Sequence, residues 1–139
     1  DNPVEGHTKL YSMGKAFFTF FLEYPHYFNI IMTYEARNCI YYPAQVSNGI
    51  GFYKNECQKI ADNNTDLILK AIEYGIQEGS IHTTLTPRQL MVILWGQVFG
   101  ITQIIMMRQT YFKEAFGIDH TELFERFLIH TENSLKNPI

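Results

Sequence analysis

Between Val4 and Tyr24 the polar positions His7, Thr8, Ser12, Lys15, Thr19 and Glu23 recur every three or four residues, the spacing of one narrow face of an α-helix. Most of the positions between them are apolar. A cylinder with so thin a wet strip cannot stand alone, so neighbours must cover most of its circumference. Residues 15–28, KAFFTFFLEYPHYF, sharpen the requirement, with seven Phe and Tyr rings and the His26 imidazole in fourteen positions. Burying each ring contributes roughly 1.5–3 kcal/mol, so a packed aromatic layer accounts for about half of them. Rings of one size pack imperfectly against several partner helices. The remaining half therefore leaves room for an apolar pocket.

The rest of the chain is punctuated as helices. Pro25 ends the first helix and suits the first turn of a second, short one through about Glu35 or Arg37. Residues 38–51, NCIYYPAQVSNGIG, read as an irregular link. A third helix is expected from about Phe52 to Glu78, with Ile60, Leu67, Ile68, Ala71, Ile72 and Ile76 on one face and Gly79 as its cap. Thr86-Pro87-Arg88-Gln89 is a strong start signal: Thr86 can accept from the backbone three residues on, Gln89 can reach back, and Pro87 sits where no N–H is needed. The helix it opens runs to Phe112 or Phe116 and ends before Gly117. Asp119 with Glu122 resembles a second capping box, and Leu123, Phe124, Phe127, Leu128, Thr131 and Leu135 form the stripe of a last helix. The expected fold is all-α, an antiparallel bundle of five to six helices in one domain spanning residues 1–139.

Composition removes several function classes. A formal net charge of −3 gives no electrostatic reason to expect a nucleic-acid surface. Cys39 and Cys57 lack metal-ligand or redox spacing, so two reduced thiols and an intracellular setting are expected, with a disulfide as the lesser alternative. Residues 1–9 are polar and do not form a signal peptide. A start at Asp1 points to a piece of something longer. Between Arg88 and Arg108 no side chain is charged, which approaches the length of a membrane span. Gln89, Gln97, Thr102 and Gln103 interrupt that run, and the central helix of a bundle, or one with core on one side and an oligomer interface on the other, is the favoured reading. His7, His26, His82, His120 and His130 are scattered, without ligand spacing, and no nucleophile elbow or phosphate loop occurs. No enzyme activity, metal or cofactor is expected. His26 reads as a surface or packing residue. Glu35 and Arg37 read as a solvated helix end, with an inward Glu35 as the alternative.

The stretch YSMGKAFFTFFLEYPHYFNIIMTYEA resembles the entry to the C-terminal regulatory domain of TetR/AcrR-type transcriptional repressors, in which a long helix ends in an acidic-x-Pro corner. GIQEGSI, LWGQVFG and the closing amphipathic helix follow in the order that family shows. The resemblance covers almost the whole chain, but the family's helix-turn-helix is missing and would precede Asp1. It implies a cytoplasmic homodimer built on the last two helices as a four-helix bundle, a small lipophilic effector, and DNA contact only through the absent domain. Carried onto this sequence, the dimer face would use Gln97, Gly100, Ile101, Ile104, Leu123, Phe124, Phe127, Leu128 and Thr131. The cavity would be lined by Phe17, Phe18, Phe21, Phe28, Met32, Phe52, Trp95, Phe99 and Gln103, with Tyr34, Thr102 or Gln103 as its polar groups and Met32, Met106 and Met107 as its adaptable ones. Apolar walls of this kind suit a lipophilic ligand, with an aromatic or a cationic compound as the options, the cationic one resting on ring faces and nearby carboxylates.

Overall fold

The computed structural model describes residues 6–40 and 51–136, and within these the side chains of residues 6–33, 56, 59, 60 and 62–136. Among them are five helices and no strand: α1 (Gly6–Glu23), α2 (Pro25–Ile40), α3 (Gly51–Glu78), α4 (Pro87–Phe116) and α5 (His120–Lys136). Helix α1 packs along α3 and α5 and turns at Pro25 into α2, while α4 lies against α3 and α5. Thr8, Ser12, Lys15, Thr19 and Glu23 are exposed along α1, as the thin wet strip requires. His7 departs from that strip: it is buried, 3.6 Å from Glu132 of α5.

Local signals fix the helix ends. The Gln89 N–H donates to Thr86 Oγ1 at 3.2 Å and the Thr86 N–H donates to Gln89 Oε1 at 3.0 Å, closing the capping box that opens α4. Gly117 ends the helix in the left-handed region at φ 64°, where its N–H reaches Lys113 O and the Ile118 N–H reaches Phe112 O. The Glu122 N–H donates to Asp119 Oδ2 at 2.9 Å at the start of α5. Helix α2 runs three residues beyond its expected limit, to Ile40. Of the expected link, residues 41–50 lie outside the described residues.

Among the described residues two cores hold the bundle. One joins Phe18 of α1, Ile105 of α4, and Phe124 and Leu128 of α5, with Tyr11, Leu22, Val98, Ile101, Leu123 and Phe127 packed around them. The other joins Ile72, Ile81, Leu90 and Leu135. Ile60 and Leu67 do not share the buried face of α3: both are exposed, whereas Ala71 and Ile72 are buried. At 3.6 residues per turn they point roughly 120° and 140° away from Ile72, so the expected face holds only from Ile68 onward.

Polar ties fasten the ends of α1. The Gly6 N–H donates to a Glu78 carboxylate oxygen, which also accepts from Ser80 Oγ at 2.6 Å. The Ser80 hydroxyl, aided by Gly6 and Tyr74, holds the Glu78 carboxyl below its ordinary pKa against the opposing effect of burial. Further along, Tyr11 Oη donates to Glu125 Oε1 at 2.7 Å and Lys15 Nζ lies 3.6 Å from the same oxygen. That hydrogen bond, with the Lys15 charge, lowers the pKa of Glu125; the same hydrogen bond, with burial and the Glu125 and Glu132 charges, raises that of Tyr11.

Candidate functional site

The aromatic run of α1 divides at the corner with α2. On the inner side the Phe17 ring meets Phe21 at 4.6 Å and Phe99 at 4.9 Å, Phe21 meets Phe28 at 4.9 Å, and Phe99 reaches Phe28 at 6.0 Å and Trp95 at 5.7 Å. Most of these pairs are edge-on or tilted, the arrangement that ring quadrupoles favour. Three helices thus meet in one aromatic junction: α1 brings Phe17 and Phe21, α2 brings Phe28, and α4 brings Phe99 and Trp95. Phe21 and Phe28 are buried, Phe17 and Phe99 half-buried, and Trp95 is 49% exposed at the outer edge. On the outer side Phe20, Tyr24 and Tyr27 touch one another and face solvent.

Five of the nine expected lining residues come together here. Phe18 belongs instead to the neighbouring core, stacked on Phe124 with centroids 3.8 Å apart and planes 8° off parallel. Met32 is half-buried on α2. Gln103 is exposed, because α4 places it on the outward row with Val92, Gly96, Gly100 and Met107, which follow one another in steps of four, four, three and four. The side chain of Phe52 lies outside the described side chains, as do those of Tyr34, Glu35, Arg37, Cys39 and Cys57.

Thr102 stands apart from Gln103, the other polar candidate whose side chain is described. It is fully buried, and its Oγ1 has no hydrogen-bond partner among the described residues. It follows Phe99 by three residues and Val98 by four, so it lies on the inward side of α4 between the aromatic junction and the Phe18–Phe124 core.

The opposite side of α4 is apolar and uncovered. Val92, Ile93, Ile104, Met107 and Tyr111 are between 43% and 68% exposed, and a Cβ added at Gly96 or Gly100 would meet nothing within 4 Å. The helix is long and apolar enough, by length and composition, to cross a membrane. Of the residues assigned to a dimer face, Gln97 and Ile104 are exposed, and Gly100, Ile101, Leu123, Phe127 and Thr131 are half-buried. Phe124 and Leu128 cannot serve there. They are 2% and 5% exposed because the stripe of α5 is spent on the chain's own α1: Phe124 stacks on Phe18, and Leu128 fills the space beside Gly14. The free apolar surface therefore belongs to α4 far more than to α5.

Among the described residues no group of three or more His, Cys, Asp or Glu is placed to hold a metal ion. No family model, curated protein or solved structure matches this chain. The resemblance to TetR/AcrR regulators rests on the order of its segments alone.

Proposed function

We propose that the chain is the effector-sensing and dimerisation domain of a TetR/AcrR-type transcriptional regulator, acting in the cytoplasm. It pairs with a second copy through α4 and takes a lipophilic molecule at the junction of α1, α2 and α4. DNA is bound only by a helix-turn-helix domain joined ahead of Asp1. The observation that carries the reading is α4 itself, whose inward side is packed and whose outward side is apolar and uncovered. Five large side chains there, Val92, Ile93, Ile104, Met107 and Tyr111, each show about half their surface. At about 100 Å² apiece they make a patch of roughly 500 Å² before the glycines and glutamines between them are counted, in the upper part of the range for an ordinary monomer. With that addition it approaches the roughly 800 Å² per partner of a stable interface.

A second copy suits this face better than lipid does. Gln97 and Gln103 lie on it, and amides left unpaired in hydrocarbon cost several kcal/mol each. Across a two-fold axis the same surface meets itself, so amide can face amide while Gly96 and Gly100 let the helices approach closely. Effector binding biases one arrangement of α1 and α2 relative to the paired α4 helices, and it shifts that equilibrium only by its differential affinity for the two states. The test is the coding sequence upstream of Asp1, followed by operator binding with the full-length protein. About fifty residues of helix-turn-helix pattern and release of operator by lipophiles support the proposal. A different upstream domain, or operator affinity indifferent to tightly bound lipophiles, refutes it.

A ligandless dimerisation module is the second reading, favoured by the close mutual packing of Phe21 and Phe28. Thermal shift against lipophiles separates the two, because a ligand selective for the folded state raises the midpoint by mass action.

A further inference from the structure

The Thr102 hydroxyl is unnecessary to the fold around it. Val98, one turn earlier on the same side of α4, fills its place with hydrocarbon, and a valine at 102 would have the same shape. A hydroxyl kept fully buried without a partner among the described residues weakens the fold unless something pairs with it in use. Its position on the helix says where that partner sits. Thr102 lies one turn beyond Phe99, whose ring touches Phe17 and Phe28, and two turns beyond Trp95, the half-exposed outer edge of the same junction.

We infer that Thr102 is the polar anchor of the effector, and that the site takes a neutral, flat, apolar molecule carrying a single hydrogen-bonding group. This rests on the sensor reading above and narrows it. The flat shape follows from the ring walls, between which an aromatic guest replaces ring-to-ring contacts with equivalent ones. The single polar group follows from Thr102 being, among the described residues, the one fully buried hydroxyl without a partner, and it can donate or accept. Neutrality follows from the surroundings. Residues 16–22 of α1 and 89–107 of α4 include no charged side chain; the flanking ones are Lys15 and Glu23 on α1 and Arg88 and Arg108 on α4. The only ionisable side chain between Pro25 and Thr33 of α2 besides Tyr27 is His26, which is exposed. An ion seated there would be buried unpaired among these residues. The described walls therefore suit phenols and simple ketones better than the cations that the sequence offered as an option.

Naphthalene, 2-naphthol and 2-naphthoate share one ring system and differ only in the group offered to Thr102. Their affinities are compared by equilibrium dialysis for the wild-type chain, Thr102→Ser and Thr102→Val, and the thermal midpoint of each variant is recorded. Trp95, the single tryptophan, reports by its fluorescence whether the probe sits at the junction. Wild type is expected to prefer 2-naphthol over naphthalene roughly tenfold, the size of one net hydrogen bond, and to bind 2-naphthoate weakest. Thr102→Ser should keep the preference. Thr102→Val should lose it, hold naphthalene as well as wild type does, and melt at the same temperature or higher. A valine variant that keeps the preference, or that melts lower because the hydroxyl holds the fold, overturns the anchor. So does 2-naphthoate binding as tightly as 2-naphthol. If the probes bind wild type and only the anchor fails, the sensor reading stands. If no probe binds wild type, both fall.

Discussion

Replacing Gly6 with alanine should cost the fold about 2 kcal/mol. Gly6 crosses α3 at Gly75, and a Cβ built on it would press on Gly75 Cα and lie 2.5 Å from Gly75 N and 2.7 Å from Ala71 O. Carbon atoms in unstrained contact sit about 3.5–4.0 Å apart, so α1 and α3 must separate by about 1 Å. The obstructing atoms are backbone and cannot rotate aside. Overpacking of this kind costs roughly 1–3 kcal/mol. Separation also draws the Gly6 N–H away from the Glu78 carboxylate that accepts it. Against this, alanine gains up to about 1 kcal/mol of helix propensity in a helix interior, and less at Gly6, the first residue of α1. The net loss should lower the thermal midpoint by roughly 6–10 °C for a chain of this length. Urea unfolding at several protein concentrations, with the slope checked for constancy, measures it. An alanine variant as stable as wild type would show that the two helices do not cross at backbone contact and would refute the packing of α1 described here.

Three further outcomes follow from other contacts. Gly100→Leu should leave the fold of the single chain intact, since the position opens on space, but should weaken self-association at least tenfold by holding the two α4 helices apart; sedimentation velocity reads both. Thr86→Ala should cost about 1 kcal/mol by removing the capping box of α4, measured by urea unfolding. Glu125 has its pKa lowered in the fold, so its contribution is present above the ordinary carboxylate range and is lost as pH falls through the lowered value. Tyr11 has its pKa raised, so its share is present below the ordinary tyrosine range and is lost as pH rises through the raised value. Stability should therefore be level between those limits, and Glu125→Gln should flatten the acid limb of the midpoint–pH curve.

Features written in a few adjacent residues were legible. Pro25, Thr86-Pro87-Arg88-Gln89 and Gly117 each bound a helix at the expected place, because capping and proline geometry are decided within one turn. The packing partner of an apolar stripe was not legible. The stripe of α5 was clear, but periodicity states that a face is apolar without saying whether the chain or a second copy covers it, and Phe124 and Leu128 went inward. Ile60 and Leu67 were misplaced for a related reason: twelve and five residues before Ile72, they belong to another side of the cylinder, although the apolar positions read as one series along the chain. At the junction, Phe17, Phe21, Phe28, Phe99 and Trp95 were found because rings at helical spacing on three elements had few other places to meet. Thr102 was visible only as one of three polar candidates, since burial without a partner is a property of the packed state.

Sedimentation equilibrium of the 139-residue chain tests most directly whether a second copy covers α4. A mass near twice 16.3 kDa is expected at tens of micromolar, returning toward the single-chain mass when Met107 and Ile104 are replaced by glutamate. A single-chain mass at every concentration, with the apolar face of α4 left open in solution, would contradict it.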